Sequence, residues 1–188
     1  LDAVVTRIAD LTLRTLTDSG IDWMFAVPTM LRRISQSPSV ELLRSAPLSC
    51  LMQAGEPAAV PALEVVSEHT DALAQSWGQT EAPASTTLLD RDEMKRPELW
   101  TSIGRPIPGV EFSLLVGDEV VDVPEPGVEG ELVIRSQTIT SGLLGAAEEF
   151  ARRTLDDRVE VAAEAEGSDG SSHHSRLHRG EAEVLDGQ

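Results

Sequence analysis

A chain of 188 residues with 40% hydrophobic and 25% charged residues has room for one domain or two small ones, and its composition is that of a packed globular fold. A net charge of −17, with the 15 Lys and Arg scattered along the chain, opposes approach to a phosphate backbone and excludes nucleic acid from the expected partners. One cysteine leaves no disulfide within the chain, no apolar stretch is long enough to span a bilayer and the start lacks a basic n-region, so a cytoplasmic location is the expectation.

The predicted elements begin with an amphipathic helix over 1–16, whose apolar residues Leu1, Val4, Val5, Ile8 and Leu11 recur at helical spacing. The opening already has the character of a mid-domain helix, so the sequence is expected to be an internal piece of something longer. Asp18, Ser19 and Gly20 stop the helix. A short apolar run, Trp23 to Val27, leads through Pro28 into a helical segment with Arg32 and Arg33 exposed. Leu48 to Gln53 is a second strand, in which Cys50 is a small buried hydrophobe. Gly55, Glu56 and Pro57 turn the chain, with Pro57 in the first turn of a helix running through Val60, Leu63 and Val66 toward His69. Leu73 to Trp77 is a third strand. Strands alternating with helices of this length indicate βαβ units and a mainly parallel sheet, with ligands at the carboxyl ends of the strands. That places the turns at Gly55 and Gly78 in view.

A polar linker over 89–99 then leads to Gly104-Arg105-Pro106-Ile107-Pro108-Gly109. Beyond it the runs 110–116, 119–123 and 130–136 are short and β-rich, and Gly117-Asp118 between the first two is a hairpin signal. A short helix is expected over 146–153. The expected fold is therefore α/β: a partial, mainly parallel sheet with flanking helices over 1–100, a small antiparallel β subdomain over 101–155, and a divergent acidic, His-bearing tail over 156–188.

Residues Trp77-Gly78-Gln79-Thr80-Glu81 set a glycine, a hydroxyl and a carboxylate at a strand's carboxyl end. Such a turn lets backbone approach a ligand, a threonine hydroxyl donate to a phosphate oxygen and a carboxylate hold Mg²⁺. Four stretches together carry a family likeness: Phe25-Ala26-Val27-Pro28-Thr29-Met30-Leu31; Ala54-Gly55-Glu56-Pro57; Trp77 to Glu81; and Gly104 to Gly109 followed by Gly130-Glu131-Leu132-Val133-Ile134-Arg135. In this order and spacing the sequence resembles the middle of the adenylate-forming (AMP-binding) enzymes, nearest to the acetyl- and medium-chain acyl-CoA synthetases.

The resemblance implies a ligase that joins ATP and a small-molecule carboxylic acid into an acyl-adenylate, with coenzyme A or another thiol then taking the acyl group. It implies that Gly55, Glu56 and Pro57 lie against adenine and that Trp77 stands where the family usually has a tyrosine. Gly78 and Gln79 would line the acyl pocket, Thr80 would meet the α-phosphate and Glu81 would bind Mg²⁺, with Thr80 and Glu81 the catalytic pair. The family's Ser/Thr/Gly-rich phosphate loop and its lysine-bearing lid have no counterpart in these 188 residues. The expected ribose-binding Thr-Gly-Asp falls on Glu160-Val161-Ala162. The chain by itself is therefore expected to be inactive and to need a partner segment or subunit. A non-catalytic relative that binds nucleotide, acyl group or partner through a half-site is the alternative, and a remnant with cut edges is a third.

Several residues have plainer readings. His173, His174 and His178 lie in a Ser/Gly-rich stretch and read as solvated rather than as metal ligands, and the acidic run Glu160 to Glu166 reads as a solvated face or link. Trp23 and Trp100 read as packing residues, Glu131 as structural, and Gly104 to Gly109 as a connection that shapes the join between subdomains.

Overall fold

The computed structural model describes residues 2–82, 85–122, 127–142, 144–145, 148, 154–155, 158–161, 164–166 and 172–174. The chain divides into two units, one of 1–79 with 84–107 and one of 80–83 with 108–188.

The first unit opens with α1 (Asp2–Asp18) and closes it at Gly20, whose φ of +63° is a left-handed turn that suits glycine. Three short strands follow, β1 (Trp23–Ala26), β2 (Cys50–Gln53) and β3 (Leu73–Gln75). They pair in parallel in the order β1-β2-β3, with Phe25 opposite Met52 and Met52 opposite Ala74. Helix α2 (Pro28–Ser35) connects the first two strands, starting at a proline that needs no N–H there, and it buries Leu31 and Ile34 while Arg32 and Arg33 face out. The core joins Leu13 and Leu16 of α1 to Leu31, Ile34, Leu43, Leu51, Leu63, Val66 and Leu73. Each such side chain contributes about 1.5–3 kcal/mol by leaving water.

Two expectations are corrected here. Helix α3 covers Val60–Ser67 and does not include Pro57, which lies in the bend at 55–57. The reason is the second proline: a helix begun at Pro57 would carry Pro61 in its interior, its ring against the carbonyl of Pro57, at a cost of ~3 kcal/mol. Started at Val60, the helix holds Pro61 in its first turn, where proline fits. The stretch 89–99 is also no free linker. Leu89, Met94 and Trp100 are buried in the core, 3-10 turns form at Glu93–Lys95 and Pro97–Leu99, and the Trp100 Nε1–H donates to the Met94 carbonyl at 2.8 Å. Three apolar residues so widely spaced carry no helical or strand period, though they are enough to fold the segment back.

Strands β4 (Thr87–Leu88) and β5 (Arg105–Pro106) pair antiparallel within this unit. Just before β5, Gly104 has φ +88°, and a Cβ there would sit 2.6 Å from both the carbonyl carbon and oxygen of Leu88. Only glycine lets the two backbones meet this closely.

The second unit is an antiparallel sheet. Strand β6 (Val110–Val116) turns at Gly117-Asp118 into β7 (Glu119–Val121), as the hairpin signal predicts, and pairs on its other side with β8 (Glu131–Ser136). Glu111 and Arg135 face each other across that ladder and form an ion pair. With β9 (Thr154–Leu155) and β10 (Arg158–Val161) the order is β7-β6-β8-β10-β9. The described residues of the acidic run lie in strands, with Glu160 of β10 opposite Val133 of β8. Strands β11 (Glu164–Glu166) and β12 (Ser172–His174) pair with Glu164 opposite His174. Apart from Glu148, the helix expected over 146–153 lies outside the described residues, as do His178 and the rest of the tail.

Candidate functional site

Strand β2 ends at Gln53 and its parallel neighbour β3 at Gln75, so the turns that follow both leave the same, carboxyl end of the sheet. The Ser76 N–H donates to the Gln53 carbonyl at 2.9 Å, which fixes the two exits side by side. At the first exit Gly55 has φ +93°, and a Cβ there would stand 3.6 Å from Val27 Cγ1, an ordinary contact. Position 55 thus favours glycine for its backbone angle rather than for lack of space. The next residue, Glu56, points its carboxylate back to α2. Thr29 Oγ1 donates to Glu56 Oε2 at 2.9 Å, and the Arg32 guanidinium lies 3.9 Å from the same oxygen. All three side chains are exposed or nearly so, and Arg32 also donates to Thr29 Oγ1 at 3.4 Å.

At the second exit Trp77 is half-buried and pinned by its backbone. Its carbonyl accepts from the Thr86 N–H at 2.9 Å and the Thr86 hydroxyl at 2.8 Å, and its N–H donates to Thr87 Oγ1 at 3.1 Å. Thr87 Oγ1 in turn donates to the Ile103 carbonyl. The Thr87 hydroxyl, which both accepts and donates, and the Thr86 hydroxyl thereby fix the Trp77 backbone in place. Gly78 and Gln79 are half-buried beyond it, and Gln79 Nε2 is buried with no partner among the described residues.

Under both exits lies a pair of amides. The Gln53 side chain, 1% exposed, donates from Nε2 to Gln75 Oε1, and Gln75 Nε2 donates to the carbonyls of Trp100 at 3.2 Å and Ser102 at 2.5 Å. Gln75 is thus fully used, which fixes its orientation, while Gln53 Oε1 has no partner among the described residues.

Thr80 and Glu81 follow directly in the chain and belong to the second unit. There Thr80 is exposed, Glu81 is half-buried, and the Glu81 carbonyl accepts from the Thr140 N–H at 2.9 Å. The structure therefore brings Gly55, Glu56 and Pro57 together with Trp77, Gly78 and Gln79 in the first unit, and it joins Thr80 and Glu81 to them through the peptide chain. Sequence reasoning missed the Thr29 and Arg32 contacts to Glu56, the amide pair, and the threonine anchors of Trp77. Only the amides had a signal: each ends an otherwise apolar strand.

Residues 2–144 match the family described as AMP-binding enzyme. A 2-succinylbenzoate–CoA ligase of Bacillus cereus is 29% identical over 147 residues, which are 78% of this chain and 29% of that protein. Nonribosomal peptide synthetase 5 of Aspergillus fumigatus is 33% identical over 113 residues, 54% of this chain and 5% of that protein. Among solved structures, an amide bond synthetase of Marinactinospora thermotolerans superposes with a TM-score of 0.72 at 26% identity, covering 81% of this chain and 31% of the synthetase. A benzoate CoA ligase of Burkholderia xenovorans shares the fold, with a TM-score of 0.69 at 20% identity over 81% of this chain and 30% of that one. The chain spans about 30% of the length of the ligase and synthetase it matches. Among the described residues no helix is long and apolar enough to cross a membrane. The family match over most of the chain, on a fold shared with these enzymes, shows that it belongs to the AMP-binding enzymes.

Proposed function

We propose that this chain forms part of an AMP-forming acid:thiol ligase, in which it contributes the adenine side and one wall of the acyl side of the site. The observation that carries this reading is the pair of turns, Gly55 to Pro57 and Trp77 to Gln79, held side by side at the carboxyl end of a parallel sheet. A nucleotide suits the turns there: Trp77 offers a flat, half-buried face, and Gln79 beside it carries an amide Nε2 with no partner among the described residues.

In the proposed reaction a carboxylate oxygen of the acid bonds to the α-phosphorus of ATP as the bond to the bridging oxygen breaks and pyrophosphate leaves. A thiol, coenzyme A by family likeness, then loses its proton and adds to the acyl carbon, and AMP departs with the electrons of the acyl–oxygen bond. Gly55, Glu56 and Pro57 bear on the adenine, Trp77 flanks it, and Gly78 and Gln79 border the acyl group. Thr80 donates to an α-phosphate oxygen. Glu81 is an oxygen donor suited to Mg²⁺, which when bound supplies neutralisation of the phosphate charge. Because phosphate anchors are charge-assisted and each contributes roughly 1.5–3 kcal/mol, these residues without a phosphate loop do not sustain turnover, and activity requires a further segment of the fold.

Thermal melting with ATP·Mg²⁺, AMP and a panel of acyl-sulfamoyl adenylates tests this. Stabilisation by an acyl-sulfamoyl adenylate above that by AMP, lost in Trp77→Ala, is the expected result. If no adenylate shifts the melting point, or the shift survives in Trp77→Ala, the reading fails.

A further inference from the structure

Among the anchors of Trp77, one hydroxyl bonds in two directions. Thr87 is fully buried; the Trp77 N–H donates to its Oγ1 at 3.1 Å, and the same hydroxyl donates onward to the Ile103 carbonyl. The Thr87 backbone holds the neighbouring groups: its N–H donates to the Trp77 carbonyl at 3.2 Å, and its carbonyl accepts from the Ser76 hydroxyl at 2.8 Å. Among the described residues, Thr87 Oγ1 is the acceptor on which the Trp77 N–H depends. The Trp77 carbonyl, by contrast, accepts from the N–H groups of Thr86 and Thr87 and from the Thr86 hydroxyl as well.

The far end of this bridge is held on every side. Ile103 precedes Gly104, whose backbone presses so closely on Leu88 that only glycine fits. Gln75 Nε2 holds the Trp100 and Ser102 carbonyls, and the Ile107 N–H donates to the Thr86 carbonyl at 3.1 Å. A hydroxyl set between a fixed carbonyl and the N–H of the turn determines where that N–H lies. Valine would fill the same space and leave both groups without a partner.

We propose that Thr87 is a positioning residue of the nucleotide site, its hydroxyl bridging the Ile103 carbonyl to the Trp77 N–H and so setting the peptide from which the indole projects. This rests on the reading that Trp77 flanks adenine, and it adds the group that holds Trp77 there. Thr86 matters less, because its hydroxyl is an additional donor to a carbonyl that two N–H groups already bond. The effect lies on the adenine side, so it is the same whatever the acyl group.

The test uses the whole chain, with acetyl- and benzoyl-sulfamoyl adenylate titrated calorimetrically well below the melting point of each variant. Thr87→Val should weaken both probes about tenfold or more and by the same factor, whereas Thr87→Ser, which keeps the bridge, and Thr86→Val should each stay within about threefold of the unsubstituted chain. In the ligand-free chain the near-ultraviolet dichroism of Trp77, obtained by subtracting the spectrum of the matching Trp77→Phe variant, should be largely lost in Thr87→Val and retained in Thr87→Ser.

Unchanged probe binding by folded Thr87→Val overturns the proposal and leaves the ligase reading standing. So does a loss in Thr87→Ser equal to that in Thr87→Val, which would assign the effect to the methyl group, or unequal losses for the two probes. Failure of both Thr87→Val and Thr87→Ala to fold overturns it too, making Thr87 a residue of the fold alone. If the unsubstituted chain binds neither probe, the ligase reading itself fails and the role of Thr87 falls with it.

Discussion

The Thr29 hydroxyl donates to the Glu56 carboxylate at 2.9 Å across 27 residues of sequence, tying the first turn of α2 to the exit of β2. Both groups are solvent-accessible, so Thr29→Val should cost under about 1 kcal/mol in urea denaturation. The same substitution should weaken acyl-sulfamoyl adenylate binding about tenfold, since the turn loses its tether. A large stability loss with unchanged ligand binding would show that the bond serves the fold alone.

Gln75→Leu strands the carbonyls of Trp100 and Ser102 and the amide of Gln53 in the core, with an expected loss of roughly 2–4 kcal/mol. Gln53→Leu should cost less, because it strands one acceptor, Gln75 Oε1, and removes an oxygen that already lacks a partner. The double variant should be less destabilised than the sum of the two. A denaturation double-mutant cycle measures that coupling, and strict additivity would contradict it.

Gly104→Ala and Gly109→Ala separate backbone strain from crowding. Both glycines have positive φ, +88° and +86°, but a Cβ at 104 meets the Leu88 carbonyl at 2.6 Å and one at 109 meets nothing within 4 Å. Gly109→Ala should cost ~1 kcal/mol and Gly104→Ala at least ~2 kcal/mol more, read as midpoints in urea.

The Cys50 thiol is pushed above its ordinary pKa, chiefly by burial; a hydrogen bond with Trp23 and the charge of Arg91 pull the other way more weakly. Little thiolate is present at mildly alkaline pH, so a disulfide reagent should modify Cys50 about tenfold more slowly than free cysteine. The rate should recover when the protein is unfolded in urea. A fast reaction in the folded protein would mean that the strand opens readily.

Much of this architecture was legible because its signals are local. The alternation at β6 to β8, the Gly117-Asp118 turn and the three short apolar strands each follow from residues within a window of ten. What escaped depends on distant pairing. Which face of α1 is buried was decided by Leu13 and Leu16 meeting α2 and its neighbours, and the stripe ending at Ile8 and Leu11 repeats just as well in sequence. Likewise the motif residues Gly55 and Trp77 could be picked out, but their supports, Thr29, Gln75, Thr86 and Thr87, are common residue types whose roles appear only in three dimensions.

The three tryptophans sit at three depths. Trp100 is sealed in the core on the Met94 carbonyl, Trp77 is half-covered in the turn after β3, and Trp23 is 52% exposed beside α1. The chain has no tyrosine, so its ultraviolet emission comes almost entirely from these indoles. Single-tryptophan variants therefore provide three built-in optical channels: a blue-shifted one that follows global unfolding, one expected to be quenched or shifted by an adenylate, and a red one that reports solvent at the β1 edge.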